Sequence, residues 1–318
     1  MFQCVRSLIK EYAHLSETVP VWVRLERHGL PERYHPVPEQ LAHVARYDSG
    51  VLRIPMHKHD FFEIALVLGG DFTHLTEAGA RTLASGTAII VPRGAVHGYE
   101  MASDMTIINL FYIGEWLATD LPELWRNPIM MQLFLAGALI EAPRHRETFI
   151  VTLKEGLMRR ALWELADLGE QLQSSPPNVL YIRSCVMKYL SLLGEAYAVQ
   201  CPDTPIGAFR KEILFVLKDV ERRLKDGDRV DVRCLADACG LNTQHLSRLF
   251  RKTVGLTVMQ YFQKRRVQLA CRMLAGGKTS PTEIAHSLAF SDYSHFRRQF
   301  SRYMGVTPKE YMKDVPRS

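Results

Sequence analysis

Two stretches in the C-terminal third repeat one pattern and decide the fold of that region. Leu235–Tyr261 reads LADACGLNTQHLSRLFRKTVGLTVMQY, and Ile284–Tyr311 reads IAHSLAFSDYSHFRRQFSRYMGVTPKEY. Matched residues such as Phe250 and Phe300 lie 50 positions apart, and upstream of the turn the offset falls to 49. Each copy predicts two short helices around a turn, with one additional residue between the helices of the second copy.

Each copy has the pattern of a helix-turn-helix. A small residue, Ala236 or Ala285, lets the two helices approach, and the second helix begins with polar residues that could face bases in a major groove. A connecting helix of about Val258–Leu274, with the basic run Lys264–Arg266, would hold the two units about 34 Å apart, one turn of DNA. The alternative is an inert helical bundle, which two copies in register make the weaker interpretation.

Charge is distributed unevenly along the 318 residues. Residues 206–318 carry 22 lysines and arginines against 11 acidic residues, a net of +11, whereas residues 1–205 carry 18 against 23, a net of −5. A basic module of this kind favours a polyanionic partner such as double-stranded DNA. The overall composition, 47% hydrophobic and 23% charged, is typical of a globular protein of two or three domains.

The same composition excludes several classes of protein. No uncharged apolar run reaches the length of about 18 residues that a membrane span needs, and the N-terminus lacks the pattern of a secretion signal. The six cysteines are scattered without pairing motifs, which predicts reduced thiols. We therefore expect a cytoplasmic protein with no membrane partner.

The N-terminal half predicts a small β-sandwich or barrel over about Val51–Tyr112. The runs FFEIALVL, GTAIIVP and MTIINLFYI have the texture of strands, and Gly69-Gly70-Asp71 is typical of a hairpin turn. Residues 1–45 are mixed and rich in proline near their end, which predicts an irregular segment.

Three histidines and one glutamate stand out in this β-region. His57, His59 and Glu63 have the same parity, so an extended strand would point them to one face, and the motif G-x5-P-x-G-x2-H from position 86 adds His97. Such a set suits a divalent transition metal (Fe, Mn, Ni, Cu or Zn), direct hydrogen bonding to an organic effector, or a structural role. His74 has no partner spacing and is predicted to be an ordinary surface or core residue.

Helical periodicity replaces the strand pattern from Glu115 to Gln200. A stripe of apolar residues from Ile150 to Leu172 steps by three or four, which predicts one helix face, and a second helix is expected over Tyr181–Ala198. The stripe is either a dimer seam or a surface that packs on the barrel. Cys201–Pro205 is expected to be the linker to the basic region.

The C-terminal motifs resemble those of the AraC/XylS family of bacterial transcription regulators. The resemblance covers about residues 207–314 and rests on F-R-K-x-x-G-L-T-x-x-x-Y, the following double arginine, I-A-x-x-L-x-F and G-V-T-P-x-x-Y. One departure is Ala289, where the family usually has glycine; alanine can still fit if the backbone at this position keeps φ below zero. By position, the resemblance implies DNA contacts at eight residues: Gln244, Ser247, Arg248, Tyr293, Ser294, His295, Arg297 and Arg298.

The histidine motifs resemble those of cupins, and H-x-H-D-F-x-E is similar to the sensing domains of the rhamnose-operon activators of that family. Gly70 follows Glu63 at the cupin spacing, but Met101 stands where cupins have asparagine. The resemblance implies an α+β protein with a cupin-like effector-binding barrel (1–114), a helical dimerisation segment (115–200) and a double helix-turn-helix domain (206–318).

The sequence as a whole predicts a DNA-binding regulator, an activator by family tendency, that responds to a small molecule such as a sugar. Expected partners are promoter DNA, the effector, a second copy of the chain and RNA polymerase. The alternatives are a metal-dependent cupin enzyme with an accessory DNA-binding domain, for which no further catalytic motif is found, and a structural DNA-binding protein that ignores small molecules.

Overall fold

The computed structural model describes residues 21–28, 52–59, 61–70, 72–101, 105–114, 117, 122–140, 147–174, 176–202, 210–276 and 279–314. Within these ranges two β-sheets and a layer of helices are followed by a region built from helices alone, which confirms the predicted α+β class. Most of the predicted linker lies outside the described residues, because residues 203–209 are not among them. The N-terminal 20 residues, where a secretion signal was not expected, are also outside them.

The β-region consists of two sheets that face each other. The five-stranded sheet has the order β1-β8-β3-β6-β9, and the four-stranded sheet has the order β2-β7-β4-β5, with antiparallel pairing throughout. The strands are β1 (Val21–His28), β2 (Leu52–His57), β3 (Phe62–Gly69), β4 (Phe72–Thr76), β5 (Gly79–Leu83), β6 (Thr87–Val91), β7 (His97–Met101), β8 (Met105–Tyr112) and β9 (Phe149–Thr152).

Both faces of the five-stranded sheet are covered, which explains why its central strands are apolar without alternation. On β3, Ile64 and Leu66 belong to the core shared with the helices, whereas Ala65 and Val67 face the four-stranded sheet. The inner layer between the two sheets is the layer that carries the histidine cluster.

Three sequence expectations in this region are wrong. Val21–His28 is not irregular but forms β1, which pairs with β8. Gly69 and Gly70 do not close a hairpin, because β3 and β4 belong to different sheets and the chain crosses between the sheets there. The helical stripe does not begin at Ile150, since Phe149–Thr152 forms β9 at the edge of the five-stranded sheet.

The helical layer follows the strands. A 3-10 helix (Pro122–Arg126) leads into α1 (Pro128–Met130), a π-helical turn (Met131–Leu135) and α2 (Ala136–Leu139). After β9 come the longer helices α3 (Glu155–Gln173) and α4 (Val179–Gln200), which pack against each other.

The apolar stripe on α3 is buried inside the chain. Ala161, Leu165, Leu168 and Leu172 are at most 8% exposed and share one core with α4 and with the five-stranded sheet. Of the two interpretations of the stripe, intrachain packing is therefore confirmed, and its use as a dimer seam is wrong. A dimer, if formed, must use another surface.

The C-terminal region contains the predicted helix pairs and their connecting helix. It comprises α5 (Lys211–Asp226), α6 (Val232–Ala238), α7 (Thr243–Val254), α8 (Val258–Gly276), α9 (Pro281–Ser287), α10 (Tyr293–Met304) and α11 (Pro308–Asp314). Four residues (239–242) separate α6 from α7, and five (288–292) separate α9 from α10, as the shift in repeat offset predicts.

The condition for an unstrained alanine at position 289 is not met. Its φ is +57°, so the backbone is left-handed at this position, as it is at Gly240 (φ +65°) in the first unit. Both units therefore turn through the same left-handed residue, and only the first fills the position with glycine.

Candidate functional sites

A cluster of buried ionisable side chains lies between the two sheets. His59 follows β2, Glu63 lies on β3, and His97 begins β7. Glu63 Oε2 is 3.2 Å from His59 Nε2 and 3.9 Å from His97 Nε2. All three residues are at most 6% exposed, so the cluster is shielded from solvent within the described part of the barrel.

The cluster assembles in a different way from that predicted. His57 and Glu63 do not share a strand, because β2 lies in the four-stranded sheet and β3 in the facing sheet. Each sheet instead supplies part of the set across the inner layer. His57 pairs with His97 across β2 and β7, and their ring centroids are 4.4 Å apart, but His57 remains partly exposed.

Backbone carbonyls fix the proton positions on two of the histidines. Nδ1 of His57 lies 2.9 Å from the Pro55 oxygen, and Nδ1 of His59 lies 2.8 Å from the Phe61 oxygen. A carbonyl only accepts, so each Nδ1 must carry a proton and donate it. His59 Nε2 then faces the Glu63 carboxylate, and the contact is favourable only with a proton or a metal ion between the two atoms.

Burial and charge together set the protonation of the cluster. Burial alone would raise the pKa of Glu63, but hydrogen bonding and charge from His59, with contributions from His97 and His57, lower that pKa to about 2. Burial lowers the pKa of His97 to about 4 against the opposing charge of Glu63. At neutral pH the site therefore combines an ionised carboxylate with a neutral imidazole at position 97.

Sequence reasoning missed three polar neighbours of the cluster. His74 on β4 is 1% exposed, and its ring centroid lies 6.0 Å from that of His97. Tyr99 pairs with His74 across the sheet and donates a 3.4 Å hydrogen bond to Glu63 Oε1. Asn109 on β8 pairs with Ala65, two residues along β3 from Glu63.

Several polar atoms of this inner layer are buried without a hydrogen-bond partner among the described residues. They are His74 Nε2, both ring nitrogens of His97, and Asn109 Oδ1. Buried polar groups are normally satisfied, because leaving one unpaired costs roughly 1–3 kcal/mol. Their grouping around Glu63 is what a site for a polar ligand would show. The alternation of His97 and Tyr99 on β7 is visible in the sequence, but the position of His74 opposite them depends on the pairing of β4 with β7.

The donor set also fits a metal ion. The ligand atoms of His59, Glu63 and His97 all lie within 4.8 Å of one another. Two imidazole nitrogens and a carboxylate oxygen suit divalent first-row transition metals, and the carbonyl acceptor on His59 Nδ1 is the kind of outer contact that orients a ligating imidazole. His57 adjoins this group but is not one of the three.

The two helix-turn-helix units form the second site. The recognition helices α7 and α10 are capped at their N-termini by Asn242 and Asp292, which accept hydrogen bonds of 2.8 Å and 2.7 Å from the backbone N–H groups of His245 and His295. Each helix ends at a left-handed glycine, Gly255 or Gly305.

The predicted DNA contacts divide into two groups by exposure. Exposed on the recognition helices are Gln244, Arg248, Ser294, Arg297 and Arg298. Partly buried are Ser247, Tyr293 and His295.

Two of the partly buried residues also make structural contacts. His295 Nδ1 lies 3.1 Å from Ser291 Oγ and its ring meets Phe290 edge-on, while Tyr293 packs on the core of the second unit. The assignment of all eight residues to DNA contact stays a prediction.

Comparison with known proteins identifies the class. Residues 40–151 match the family described as an AraC-like ligand binding domain, and residues 235–314 match the family described as a helix-turn-helix domain. The chain is an AraC-family transcription regulator with a ligand-binding domain.

The relatives agree with this class. The chain is similar to the HTH-type transcriptional activator RhaS of Escherichia coli O1:K1 / APEC, with 25% identity over 261 residues that cover 80% of this chain and 86% of RhaS. RhaS of Escherichia coli strain SMS-3-5 matches to the same extent. These homologues are transcription regulators.

Solved structures also show similarity to this chain. Fatty-acid-bound ToxT from Vibrio cholerae strain SCE256 matches 93% of this chain and 95% of its own, with a TM-score of 0.41 and 11% identity. The C-terminal domain of the response regulator AraT from Geobacillus stearothermophilus matches 35% of this chain and 92% of its own, with a TM-score of 0.33 and 19% identity. Separately, none of the described helices has the length and apolarity that a bilayer crossing requires.

Proposed function

We propose that this protein is a sequence-specific DNA-binding activator whose action depends on a small-molecule effector bound between the two β-sheets. The observation that carries the proposal is the group of buried, unsatisfied polar atoms around Glu63, in a chain that also presents two capped recognition helices. Promoter DNA is the partner, and we place the protein in the cytoplasm for that reason. An effector can act only if it binds one arrangement of the chain better than another.

The chemistry of the recognition helices supports base readout. Arg248 and Arg298 are exposed and suited to bidentate contact with guanine, and Gln244 is suited to adenine. Ser247, Tyr293, Ser294, His295 and Arg297 complete the proposed contact set with bases or phosphates. Each unit would read one of two adjacent half-sites.

The electrostatics of the barrel favour an uncharged, hydroxyl-rich effector such as a sugar. Glu63 is ionised at neutral pH, whereas His74 and His97 are neutral because burial lowers the pKa of each to about 4. Such a site offers both donors and acceptors to hydroxyl groups. It would repel a carboxylate placed beside Glu63.

A divalent transition metal is a second candidate occupant, favoured by the short distance, 3.2 Å, between His59 Nε2 and Glu63 Oε2. His59, Glu63 and His97 would hold it, and His57 lies beside them. A bound ion would neutralise the carboxylate and could polarise an oxygen of the effector. Metal content of the purified protein, with and without a chelator, separates the two occupants; turnover lost on chelation would support the alternative of a metal-dependent enzyme.

We propose that the protein acts as a homodimer through the outward face of α3. This face forms a groove lined by Met158, Leu162, Trp163 and Ala166, and Trp163 is 68% exposed. An antiparallel second copy would place Trp163 against Ala166. The same arrangement would bring together two residues that are exposed on this side of the helix, Arg159 and Glu170.

The test combines operator selection with transcription. DNA selected from a random library should yield a preferred site, and adding the effector to a reconstituted promoter with RNA polymerase should raise transcription. Replacing His57 and His59 together by alanine should abolish the effector response with basal DNA affinity intact. Unchanged induction in that double variant would reject the effector site, and an absence of any preferred sequence would reject the regulator.

A further inference from the structure

Two consecutive arginines on α8 are buried between the two helix-turn-helix units. Arg265 and Arg266 are 2% and 3% exposed, although they belong to a basic run. The first unit, α6 and α7, packs with α5, and the second unit, α9 and α10, packs with α11; each is taken below together with the helix that packs on it. Neighbouring residues on a helix point about 100° apart, so the two guanidinium groups reach different partners.

Arg265 joins α8 to the first unit. Its Nε and Nη2 donate hydrogen bonds of 2.7 Å and 2.8 Å to the two carboxylate oxygens of Glu221 on α5. Tyr261 donates a 2.7 Å bond to the same carboxylate, which is 3% exposed. A bidentate pair of this kind fixes both distance and orientation.

Arg266 joins α8 to the second unit. Its Nε donates a 2.6 Å hydrogen bond to the Leu288 carbonyl, at the C-terminal end of α9. Its guanidinium carbon lies 3.5 Å from the centroid of the Phe290 ring and 5.1 Å from that of Phe262. Arg266 therefore contacts the residues on either side of Ala289, which is the left-handed residue of the turn between α9 and α10.

A contribution to folding stability does not explain why a buried arginine occupies position 266. Its Nη2 has no hydrogen-bond partner in the described part of the chain, and its hydrogen bonds go to a carbonyl and an amide rather than to a carboxylate. Burial lowers its pKa to about 10, with a smaller effect from Arg229, so the charge is retained at neutral pH at a cost. An apolar side chain of similar volume would fill the space without that cost, but it could not fix the direction of the Leu288 carbonyl.

A second contact brings the same two units together. A Cβ added to Gly227, the residue that ends α5, would lie 2.8 Å from the carbonyl oxygen of Ser287, the last residue of α9. The first unit therefore touches the second at the end of α9 that Arg266 holds.

We propose that Arg266 is a positioning residue for DNA recognition, which sets the orientation of α10 relative to α7 and so the separation of half-sites that the protein accepts. The proposal rests on the proposed function, because it requires two half-sites read by one chain. Arg265 holds the connecting helix to the first unit, and Arg266 transmits that fixed geometry to the turn of the second.

The experiment measures affinity against half-site spacing. Full-length protein would be titrated with the selected operator, with operators lengthened or shortened by one base pair between the half-sites, and with DNA carrying one half-site. One base pair moves a half-site by about 3.4 Å and about 35°. For the wild-type protein we expect a loss of about tenfold for either spacing change, the loss typical of one mismatched position.

Arg266→Met should reduce that spacing penalty to about threefold or less, with one-half-site affinity within about twofold of wild type. Phe290→Leu, which removes the stacking surface, should act in the same direction, and Arg266→Lys should fall between Arg266→Met and wild type. Arg222→Met is the matched control, because Arg222 is exposed on α5 and pairs only with Asp219 and Asp226 among the described contacts. The control should keep the full penalty.

Two outcomes would overturn the proposal. One is an unchanged spacing penalty in Arg266→Met, Arg266→Lys and Phe290→Leu. The other is an equal loss of affinity for every DNA including the single half-site, which would show that Arg266 only supports folding. Failure of the proposed function gives a different result, since wild-type protein would then show no preferred operator at all.

Discussion

Ala289 occupies a backbone position that ordinarily costs an alanine energy. Its φ of +57° brings Cβ close to the following carbonyl, a conformation that disfavours residues other than glycine by about 1–2 kcal/mol. The neighbouring hydrogen bonds hold it there, because Ala289 N–H donates to His286 and Phe290 N–H donates to Ala285. The second unit therefore keeps the turn of the first at the expense of local strain.

The first prediction follows from that strain. Ala289→Gly should raise the free energy of unfolding by about 0.5–1 kcal/mol, since relief of strain outweighs the greater freedom of glycine in the unfolded chain. Gly240→Ala is the matched control in the first unit and should lower it by about 1 kcal/mol, because its φ is +65° and its surroundings are open. Urea unfolding measures both; destabilisation by Ala289→Gly would contradict the prediction.

The buried histidines predict a pH dependence. Burial lowers the pKa of His74 and His97 from about 6.5 to about 4, so only the unfolded chain takes up protons between these values. Stability is then present above pH 6.5 and is lost as the pH falls toward 4, by about 2 kcal/mol for each histidine between pH 7 and pH 5. His74→Phe, compared with wild type in urea with a chelator present, should remove about half of that loss. An identical pH profile would refute the assignment.

At the scale of elements, α3 has two apolar faces that differ in exposure. Leu168 is fully buried against α4 and the sheet, whereas Trp163 on another face is 68% exposed. Leu168→Ala should lower the free energy of unfolding by about 2–5 kcal/mol through loss of core packing. Trp163→Ala should change it by less than about 0.5 kcal/mol in the monomer and should weaken self-association measured by sedimentation. If Leu168→Ala weakened self-association and Trp163→Ala instead lowered the free energy of unfolding, the buried stripe would be the dimer interface after all.

Periodicity predicts elements well where a single face is buried and less well elsewhere. The helix pairs at 232–254 and 281–304 follow from an internal repeat, and β3, β6 and β8 follow from their apolar runs. Which strands pair is not a local property, so Gly69-Gly70 gives the same signal whether the chain makes a hairpin or crosses to the facing sheet. The strand β9 is four residues long and continues the apolar spacing of α3, which hides the boundary between them.

The candidate site was also predicted only in part, because strand pairing is not a local property of the sequence. His57, His59, Glu63 and His97 were identified by spacing, and three of them do converge. The sequence argument placed His57, His59 and Glu63 on one face of one strand. They do not share a strand, and the site forms because residues from two facing sheets meet in the inner layer. His74 and Asn109 join the site through cross-strand register, which depends on long-range pairing and has no fixed sequence spacing.

At the scale of the whole molecule, the helical layer contacts both the barrel and the basic domain. The side-chain amide of Gln200, at the end of α4, bonds to both the N–H and the carbonyl of Thr152 on β9, at 2.9 Å and 2.6 Å. Lys218 on α5 lies over the Trp125 ring, 5.8 Å from its centroid. A change at the proposed effector site would therefore have a packed route through β6 and β9 to the segment that precedes the DNA-binding helices. An effector that favours one arrangement of these contacts would shift the DNA-bound population.

The uneven charge along the chain predicts how DNA affinity depends on salt concentration. Residues 206–318 carry a net +11 and residues 1–205 a net −5, so phosphate neutralisation should fall to the C-terminal region alone. Two units that together neutralise about six phosphates give a slope of log K against log salt near −5, or a loss of about a thousandfold between 50 and 200 mM salt. Arg297→Ala should make this slope shallower by about one if Arg297 contacts a phosphate, whereas Arg81→Ala, exposed on β5 of the barrel, should leave it unchanged. Fluorescence anisotropy on the selected operator measures the slope, and a flat salt profile, or equal effects of the two substitutions, would show that DNA does not bind where the positive charge lies.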